Sequence, residues 1–527
     1  MQSTYRAQFY EYLFAELTME FLNISWIFMF IIVLISGFLI GKSRKKSRLP
    51  PGPAPFPIIG NLHLISRLPH RSFCSLAHKY GPIMTLYLGS LPTVIISSPE
   101  MAKQVLKTQD HVFASRPPMG DENHILSPQK ISVSPYGPYW KFMRKFLTME
   151  LLSPNRLKSF APLRAQEVSA MIRSILHKAT KNDNTPAVDF SSEVGFLANN
   201  TICRMSVGKK CTKGDLGGKE FKEVLEDVLP LTGGFQYSDY IPLLRWLDLQ
   251  GNRRRQAELT EIFFVFLGRV VDEHIERRKN YSALQCEDFV DLLLSLSEDE
   301  SMEIKITREH IKKIAFDLIS ATTDTSGGTL EWAMSELLRN PWAMRKAQQE
   351  LDSVVGLNHT IEEPDLPHLQ YLQSIVKETL RLHPPVPLLL PHQSMEHTII
   401  EGYHIPENTQ VLVNAWAIAR DPTVWEEANE FKPERFLGSK IDVKGQDFEL
   451  IPFGSGRRGC PGTNLGLSLV QLGLAQLLHC FNWSLPQGIT PENLDMSEVY
   501  GVTMPRAGHL LAIPAPRLPL EFYEPKP

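Results

Sequence analysis

Residues 453–462 read FGSGRRGCPG, and this loop decides what the C-terminal part of the chain can bind. Residues 454–459 within it satisfy G-x-G-x-x-G, the glycine pattern of a dinucleotide-binding turn. Such a turn follows a buried strand and has an acidic residue about 20 positions further on. Here Pro452 interrupts the preceding apolar run, and residues 460–491 contain no Asp or Glu. The pattern does not indicate a nucleotide site, so Cys460 becomes the residue to explain.

Cys460 stands directly before an apolar stretch, residues 463–480, with a helical pattern. Pro461 is expected near the first turn of this helix, where its missing N–H costs nothing. The sulfur is therefore predicted at a helix N-terminus, where the dipole favours a thiolate, the form that ligates metal. The glycines allow close approach of something large and flat, and Arg457 or Arg458 could pair with its carboxylates. Iron porphyrin fits this description.

The loop resembles the haem-ligand loop of the cytochrome P450 monooxygenases. Phe453, Gly456, Arg458, Cys460 and Gly462 match the signature F-x-x-G-x-R-x-C-x-G. The resemblance covers nearly the whole chain and is strongest to microsomal enzymes of plant specialised metabolism. It implies that these residues bind haem b, that Cys460 is the axial thiolate ligand of its iron, favouring O–O cleavage, and that Arg458 binds a haem propionate.

The composition is that of a globular protein with a large core. The chain has 527 residues, of which 43% are hydrophobic and 21% charged, and its net charge of −3 indicates neither nucleic-acid binding nor disorder. Its six cysteines are scattered and include no C-x-x-C pair. Neither a zinc site nor a disulfide framework is expected, and a reducing compartment fits best.

Helical patterns outnumber strand patterns, which predicts a mostly helical α+β fold. The resemblance implies, more narrowly, the cytochrome P450 fold with small β-sheets. The predicted strand pairs are 84–88 with 93–97 and 398–400 with 410–414. Helices are predicted over residues 72–80, 140–152, 163–179, 258–279, 307–339, 342–355, 369–382 and 463–480.

The N-terminus has the pattern of a membrane anchor. Residues 21–40 (FLNISWIFMFIIVLISGFLI) carry no formal charge and match the ~20 residues that a helix needs to cross a bilayer. Basic residues cluster between positions 42 and 48, so the positive-inside rule predicts a lumenal segment at 1–20 and a cytosolic remainder. The alternative, a cleaved signal peptide, would carry its basic flank before the apolar run.

A basic and proline-rich linker is predicted at residues 41–60. Five prolines within residues 50–57 fix φ and forbid a helix, so a stiff extended spacer is expected. Residues 61–527 contain no second linker or repeat and are predicted to form one haem-thiolate catalytic domain. Together with the resemblance, this predicts a single-pass protein of the endoplasmic reticulum membrane with its catalytic domain in the cytosol.

The predicted helix 307–339 opens at Thr307 as N-cap and carries an unusually polar centre, ATTDTS at 321–326. An acid beside an alcohol could relay protons, and a threonine hydroxyl can bond back to the i−4 carbonyl and open the helix locally for water. A solvated helix face is the alternative. In the family the matching acid and threonine deliver protons for oxygen activation, which implies that Asp324 and Thr325 are catalytic. Thr322 departs from the glycine that the family usually has there.

Two further groups of residues follow from the resemblance. Glu378 and Arg381 share a helix face, and with Arg435 they are expected to form a buried structural network; Glu336 and Arg339 have the same spacing but are predicted to be a surface pair. Trp140 and Arg144 match W-x-x-x-R, whose members bond haem propionates, although a boundary tryptophan over an arginine stem is the alternative. His392 stands where the family often has a propionate-binding arginine, and is a weaker, pH-sensitive substitute.

The function expected is insertion of one oxygen atom from O2 into a small lipophilic plant metabolite. NADPH would supply electrons through a membrane-bound flavoprotein reductase, because the chain shows no nucleotide fingerprint. The stretches that the resemblance places near substrate are largely apolar, which favours a terpenoid over a phenylpropanoid or flavonoid; these stretches are residues 116–131, 316–325, 386–390 and 501–504. The alternatives are a haem-thiolate isomerase or dehydratase that needs no reductase, and a membrane haem protein without enzymatic activity.

Overall fold

The computed structural model describes residue 29 and residues 48–118, 130–181, 187–211, 240–241, 251–280, 288–300 and 304–523. The predicted lumenal segment 1–20 and nearly all of the predicted span 21–40 lie outside these residues. Within the part of the chain that is described, no helix combines the length and the apolar character needed to cross a membrane.

Helices dominate the described chain, as the sequence predicts. Their residues, numbered in chain order, are α1 Pro69–Tyr80, α2 Pro99–Lys103, α3 Pro138–Phe146, α4 Pro154–Ser159, α5 Ala161–Lys181, α6 Phe190–Val207, α7 Asn252–Asn280, α8 Phe289–Ser297, α9 Arg308–Arg339, α10 Pro341–Val354, α11 Gln370–Leu382, α12 Ala415–Ile418 and α13 Thr463–Cys480.

The strands form three small sheets. One has the order β1-β2-β7-β4, one the order β3-β9-β8, and β5 pairs with β6 alone. Their residues are β1 Ile83–Leu88, β2 Leu91–Ile96, β3 Val188–Asp189, β4 His392–Gln393, β5 Thr398–Ile400, β6 Tyr403–Ile405, β7 Gln410–Val413, β8 Phe481–Ser484 and β9 Leu511–Pro516.

The first predicted hairpin is confirmed, because β1 and β2 pair antiparallel across the turn between Leu88 and Leu91. The second predicted strand pair is wrong. Strand β5 pairs with β6, because Glu401 and Gly402 adopt φ values of 47° and 77° and reverse the chain immediately. Strand β7 is buried along its whole length and pairs parallel with β2 instead.

The long helix α9 lies at the centre of the helical layer and packs against α6, α7, α10, α11 and α13. Thr307 caps it as predicted, since Thr307 Oγ1 accepts from His310 N at 3.3 Å and His310 Nδ1 accepts from Thr307 N at 3.2 Å. Residues 329–338 are buried on every side, as expected for a helix in the middle of a large core. Its central turns are thereby held in a fixed position over the start of α13.

Residues 48–55 of the predicted linker contain no helix, and they pack against the domain instead of standing free as a spacer. Thr85 N on β1 donates to the Pro51 carbonyl at 2.9 Å, and Asn61 Nδ2 donates to the Ala54 carbonyl at 3.2 Å. A β-carbon at Gly52 would lie 1.9 Å from the Thr85 carbonyl oxygen, so the two backbones are in direct contact. The end of the predicted linker therefore continues the edge of the sheet.

A buried ion-pair network ties α11 to the segment that follows α12. Both Glu378 and Arg381 are fully buried, and Arg381 donates to the two Glu378 carboxylate oxygens at 2.7 and 2.8 Å. Arg435 Nε adds a third bond to Glu378 at 3.1 Å. Arg381 Nη1 also donates to the carbonyls of Ala419 and Ala428, at 2.8 and 2.6 Å. Glu378 thus neutralises the Arg381 guanidinium, which joins α11 to the chain at Ala419 and at Ala428.

The prediction of a surface pair between Glu336 and Arg339 is wrong. Glu336 is buried and lies 2.7 Å from His383 Nε2, while Arg339 is exposed. The same three-residue spacing occurs in surface pairs and in buried ones, so the spacing could not distinguish them.

We expect Glu378→Ala to destabilise the domain by about 3–5 kcal/mol, because the change leaves Arg381 buried without a counter-charge. The matched control is Glu258→Ala, which removes an exposed pair with Arg254 (side chains 60% and 86% exposed) and should cost at most about 0.5 kcal/mol. Denaturant titration of both variants measures the difference. Equal unfolding midpoints for the two variants would contradict the structural role of Glu378.

Candidate active site

The loop before Cys460 is closed by a backbone hydrogen bond between its two ends. Cys460 N donates to the Phe453 carbonyl at 2.8 Å. Gly456 has a φ of 68°, and a β-carbon there would lie 2.0 Å from the Leu106 carbonyl oxygen. Only glycine fits this position. The glycine pattern therefore serves the close packing of this loop against the chain around Leu106.

The Cys460 side chain is accessible to solvent, and α13 begins three residues after it. Gly462 is the N-cap, so Pro461 precedes the helix instead of standing in its first turn. Burial raises the pKa of the Cys460 thiol, while hydrogen bonds from Gly462 and Thr463 and the charge of Arg144 act in the opposite direction. The helix terminus alone does not produce a thiolate, whereas a coordinated metal would.

Arg458 is the arginine of the loop that turns inward. Its Nε and Nη2 donate to the carbonyls of Ala114 and Ser134 at 2.6 and 2.7 Å, and its guanidinium lies 4.1 Å from the centre of the Trp140 ring. Its Nη1 is buried without a partner among the described residues. Trp140 Nε1 donates to the Ile131 carbonyl at 3.2 Å, so in this arrangement Trp140 supports Arg458 and its own N–H is already used.

Arg144 stands beside Arg458 and holds the loop from the other side. Its Nη2 donates to the Gly459 carbonyl at 2.6 Å. Burial, followed by the positive charge of Arg144, lowers the pKa of Arg458 to about 9. Burial also lowers the pKa of Arg144, and the nearby Cys460 opposes that shift. Two half-buried cations this close favour the binding of an anion between them.

Arg116 belongs to the same group, and the sequence reasoning missed its role. It is buried, and its Nη1 donates to the carbonyls of Leu390 and Pro391, both at 2.7 Å. Burial, followed by the charges of Arg458 and Arg144, lowers the pKa of Arg116 well below its usual range. A lone arginine at the end of an apolar run (HVFASR, 111–116) is the local signal that could have drawn attention to it.

His392 and Arg457 contribute less than expected. His392 Nδ1 lies 2.8 Å from the Phe113 carbonyl oxygen, which can only accept, so this nitrogen carries the proton. Burial and the charge of Arg116 lower the pKa of His392 to about 3, so the ring is neutral at pH 7 and offers no second N–H to a propionate. Arg457 points outward and pairs with Asp110.

The polar centre of α9 approaches the start of α13. A β-carbon at Gly466 would lie 3.9 Å from Ser326 Oγ. Ala321 is exposed although the helix around it is largely buried. Thr325 Oγ1 donates to the Ala321 carbonyl at 2.7 Å, the predicted back-bond, but α9 continues through it and the expected local opening of the helix is absent there.

Asp324 on α9 is half-buried, and its Oδ2 accepts a hydrogen bond from Thr503 Oγ1 in the C-terminal loop. Thr503 lies in the stretch 501–504 that is expected near substrate, but the sequence alone did not connect it with Asp324.

These residues fit haem. An accessible thiol lies beside a group of half-buried and buried guanidiniums, and one buried Arg458 N–H group lacks a partner among the described residues. A flat cofactor with two carboxylates and a metal that accepts sulfur matches both features. Glu378, Arg381 and Arg435 form their own network, in which the Arg381 charge is already paired.

Comparison with known proteins agrees with this geometry. The cytochrome P450 family matches residues 50–513. Cytochrome P450 CYP736A12 of Panax ginseng is 46% identical over 91% of this chain and 96% of its own length. Cytochrome P450 71AP13 of Prunus mume is 42% identical over 93% and 95%. The 3,9-dihydroxypterocarpan 6A-monooxygenase of Glycine max is 41% identical over 92% and 96%. A match of this extent, on a site that fits haem, shows that the chain belongs to the cytochrome P450 family.

Proposed function

We propose that this protein inserts one oxygen atom from O2 into a small lipophilic plant metabolite, with electrons that a flavoprotein reductase transfers from NADPH. The observation that carries the proposal is the accessible Cys460 sulfur beside the guanidiniums of Arg116, Arg144 and Arg458, whose pKa values are all lowered by burial. Cytochrome P450 enzymes are haem oxidoreductases, and the haem, when bound, supplies the iron at which O2 is activated.

The chain's own residues would hold that cofactor by charge and by sulfur. Cys460 would ligate the iron, and the unpartnered Nη1 of Arg458 would donate to one carboxylate. The half-buried Arg144 and the buried Arg116 add two further positive charges close to Arg458. Pairing these cations with an anion offsets their burial and the repulsion that lowers the pKa values of Arg116 and Arg458, so cofactor binding stabilises the folded domain.

Proton delivery is the proposed role of Asp324 and Thr325. The Thr325 hydroxyl already donates its proton to the Ala321 carbonyl, so its oxygen is an acceptor that can hold and orient a water molecule. Asp324, the ionisable member of the pair, would take up a proton from solvent and pass it to that water. The separation of these two tasks is typical of general acid catalysis with a positioned water.

A terpenoid remains the favoured substrate class, because the stretches that the family resemblance places near substrate are largely apolar in sequence. A phenolic substrate is the second candidate, because one relative is named for the oxidation of a dihydroxypterocarpan. A reductase-independent isomerase would not need the acid and alcohol pair. Turnover of a mixed terpenoid and phenolic library with a plant reductase, followed by mass-shift detection, tests the proposal. Product that forms without NADPH would contradict it.

We also propose that residues 21–40 anchor the protein in the endoplasmic reticulum membrane, with a lumenal segment at 1–20 and the catalytic domain in the cytosol. The basic residues between 42 and 48 support this orientation.

Deletion of residues 1–41 should release most of the protein from membranes and preserve haem binding, because the remaining chain carries its own core. Fractionation in high salt of the truncated and full-length chains measures this. A truncated chain that stays in the membrane fraction would contradict the anchor and indicate a second apolar attachment surface.

The variant Cys460→Ser should lose the red-shifted CO band of the reduced protein, because a serine hydroxyl is far less acidic than a thiol and does not supply the ligand. Cys74→Ser, at a half-buried cysteine on α1, is the control and should keep the band. Retention of the band and of turnover in Cys460→Ser would refute the ligand assignment.

The variants Thr325→Ala and Asp324→Asn should still bind haem and consume NADPH, but release more hydrogen peroxide and less product. General acid–base delivery is typically worth 10²–10⁴-fold, and we expect a loss at or below about 10²-fold because Thr322 and Thr323 can reorganise water. Thr180→Ala is the matched control, since Thr180 makes the same back-bond, at 3.1 Å, on α5. Unchanged product per NADPH in both site variants would remove the proton-delivery role.

A further inference from the structure

Thr503 is buried in the C-terminal loop, yet its hydroxyl is bonded to the proposed acid on α9. Thr503 Oγ1 donates to Asp324 Oδ2, across 179 residues of sequence. The side chain is 8% exposed, so water competes little for this bond. The loop that carries Thr503, residues 501–504, is also one of the stretches expected near substrate.

The loop is fixed on both sides of Thr503. Met504 N donates to the Pro385 carbonyl at 3.0 Å, and Trp332 Nε1 donates to the Met504 carbonyl at 2.9 Å. Gly501 N donates to the Thr503 carbonyl at 3.1 Å. Trp332 lies about two turns beyond Asp324 on α9. The loop and the helix are therefore joined at two points, and the Thr503 hydroxyl has a defined position relative to Asp324.

The geometry of α9 makes this bond consequential. Consecutive residues of a helix point about 100° apart, so Asp324 and Thr325 do not share a face. The bond from Thr503 holds the carboxylate on the side of the C-terminal loop. Through the loop, Thr503 therefore sets the distance between the Asp324 carboxylate and the water that Thr325 orients.

We infer that Thr503 is a positioning residue for Asp324, so that the C-terminal loop takes part in proton delivery as well as in lining the substrate site. This inference rests on the proposed role of Asp324. A substrate that shifts residues 501–504 would move the Asp324 carboxylate with them. The presence of substrate would thereby affect how much product forms per NADPH oxidised.

The test compares Thr503→Val, which keeps the shape and removes the hydroxyl, with Thr503→Ser, which keeps the hydroxyl. In the reductase-coupled holoenzyme, Thr503→Val should lower product per NADPH about 10-fold, less than the ~10²-fold that a 1 Å misplacement can cost. Thr503→Ser should restore most of it. Thr490→Val is the control, at an exposed threonine that bonds Asn493 at 3.2 Å. The CO band confirms that each variant is folded with haem.

A double-mutant cycle separates the inference from the function on which it rests. If Thr503 acts through Asp324, the double variant Thr503→Val/Asp324→Asn should form as much product per NADPH as Asp324→Asn alone. Thermal unfolding adds a readout independent of activity, since Tm losses in Thr503→Val and Asp324→Ala should not add. If Asp324→Asn lowers coupling and Thr503→Val does not, the inference is wrong and the proton-delivery role stands. If Asp324→Asn does not change product per NADPH, the proton-delivery role of Asp324 is wrong, and so is the positioning role of Thr503 that rests on it.

Discussion

Three guanidinium groups gathered beside one cysteine are the constraint on which this structure depends. Arg116, Arg144 and Arg458 come from separate segments; Arg116 is buried and the other two are half-buried. Burial lowers the pKa of all three, and repulsion between the charges lowers the pKa values of Arg116 and Arg458 further. Buried charges without counter-ions are costly, so a fold that gathers them requires an anion at that place. A cofactor that brings carboxylates to the cations and a metal to the Cys460 sulfur satisfies the whole arrangement at once.

A second group of arginines shows the contrast. Arg381 and Arg435 receive their counter-charge from Glu378 within the protein, and this network joins α11 to the chain after α12. The charges of Arg381 and Arg435 are thus neutralised within the protein, whereas those of the three arginines near Cys460 are available to bind an anionic ligand. Helices α9 and α13 are packed closely enough that Ser326 would touch a β-carbon at Gly466. This contact fixes the polar turn of α9 relative to Cys460.

Much of this could be predicted from the sequence where local chemistry decides. The Cys460 loop, the cap at Thr307 and the extent of α9 and α13 follow from signatures and capping rules. Tertiary contacts decided the rest. Arg116 was missed because its role depends on carbonyls some 274 residues away, and the partner of β5 was missed because three-residue strands carry too little pattern to fix a register. The pKa of His392 depends on Arg116 and burial, which no local pattern reveals.

Iron X-ray absorption on the purified full-length protein tests the central claim most directly, because it reports the ligands of the metal without a mutation. We predict a single sulfur in the first coordination shell of the iron, contributed by Cys460, together with the porphyrin nitrogens. A first shell that contains only nitrogen and oxygen would contradict the assignment of Cys460, and with it the interpretation of the buried arginines as the binding site for the haem carboxylates.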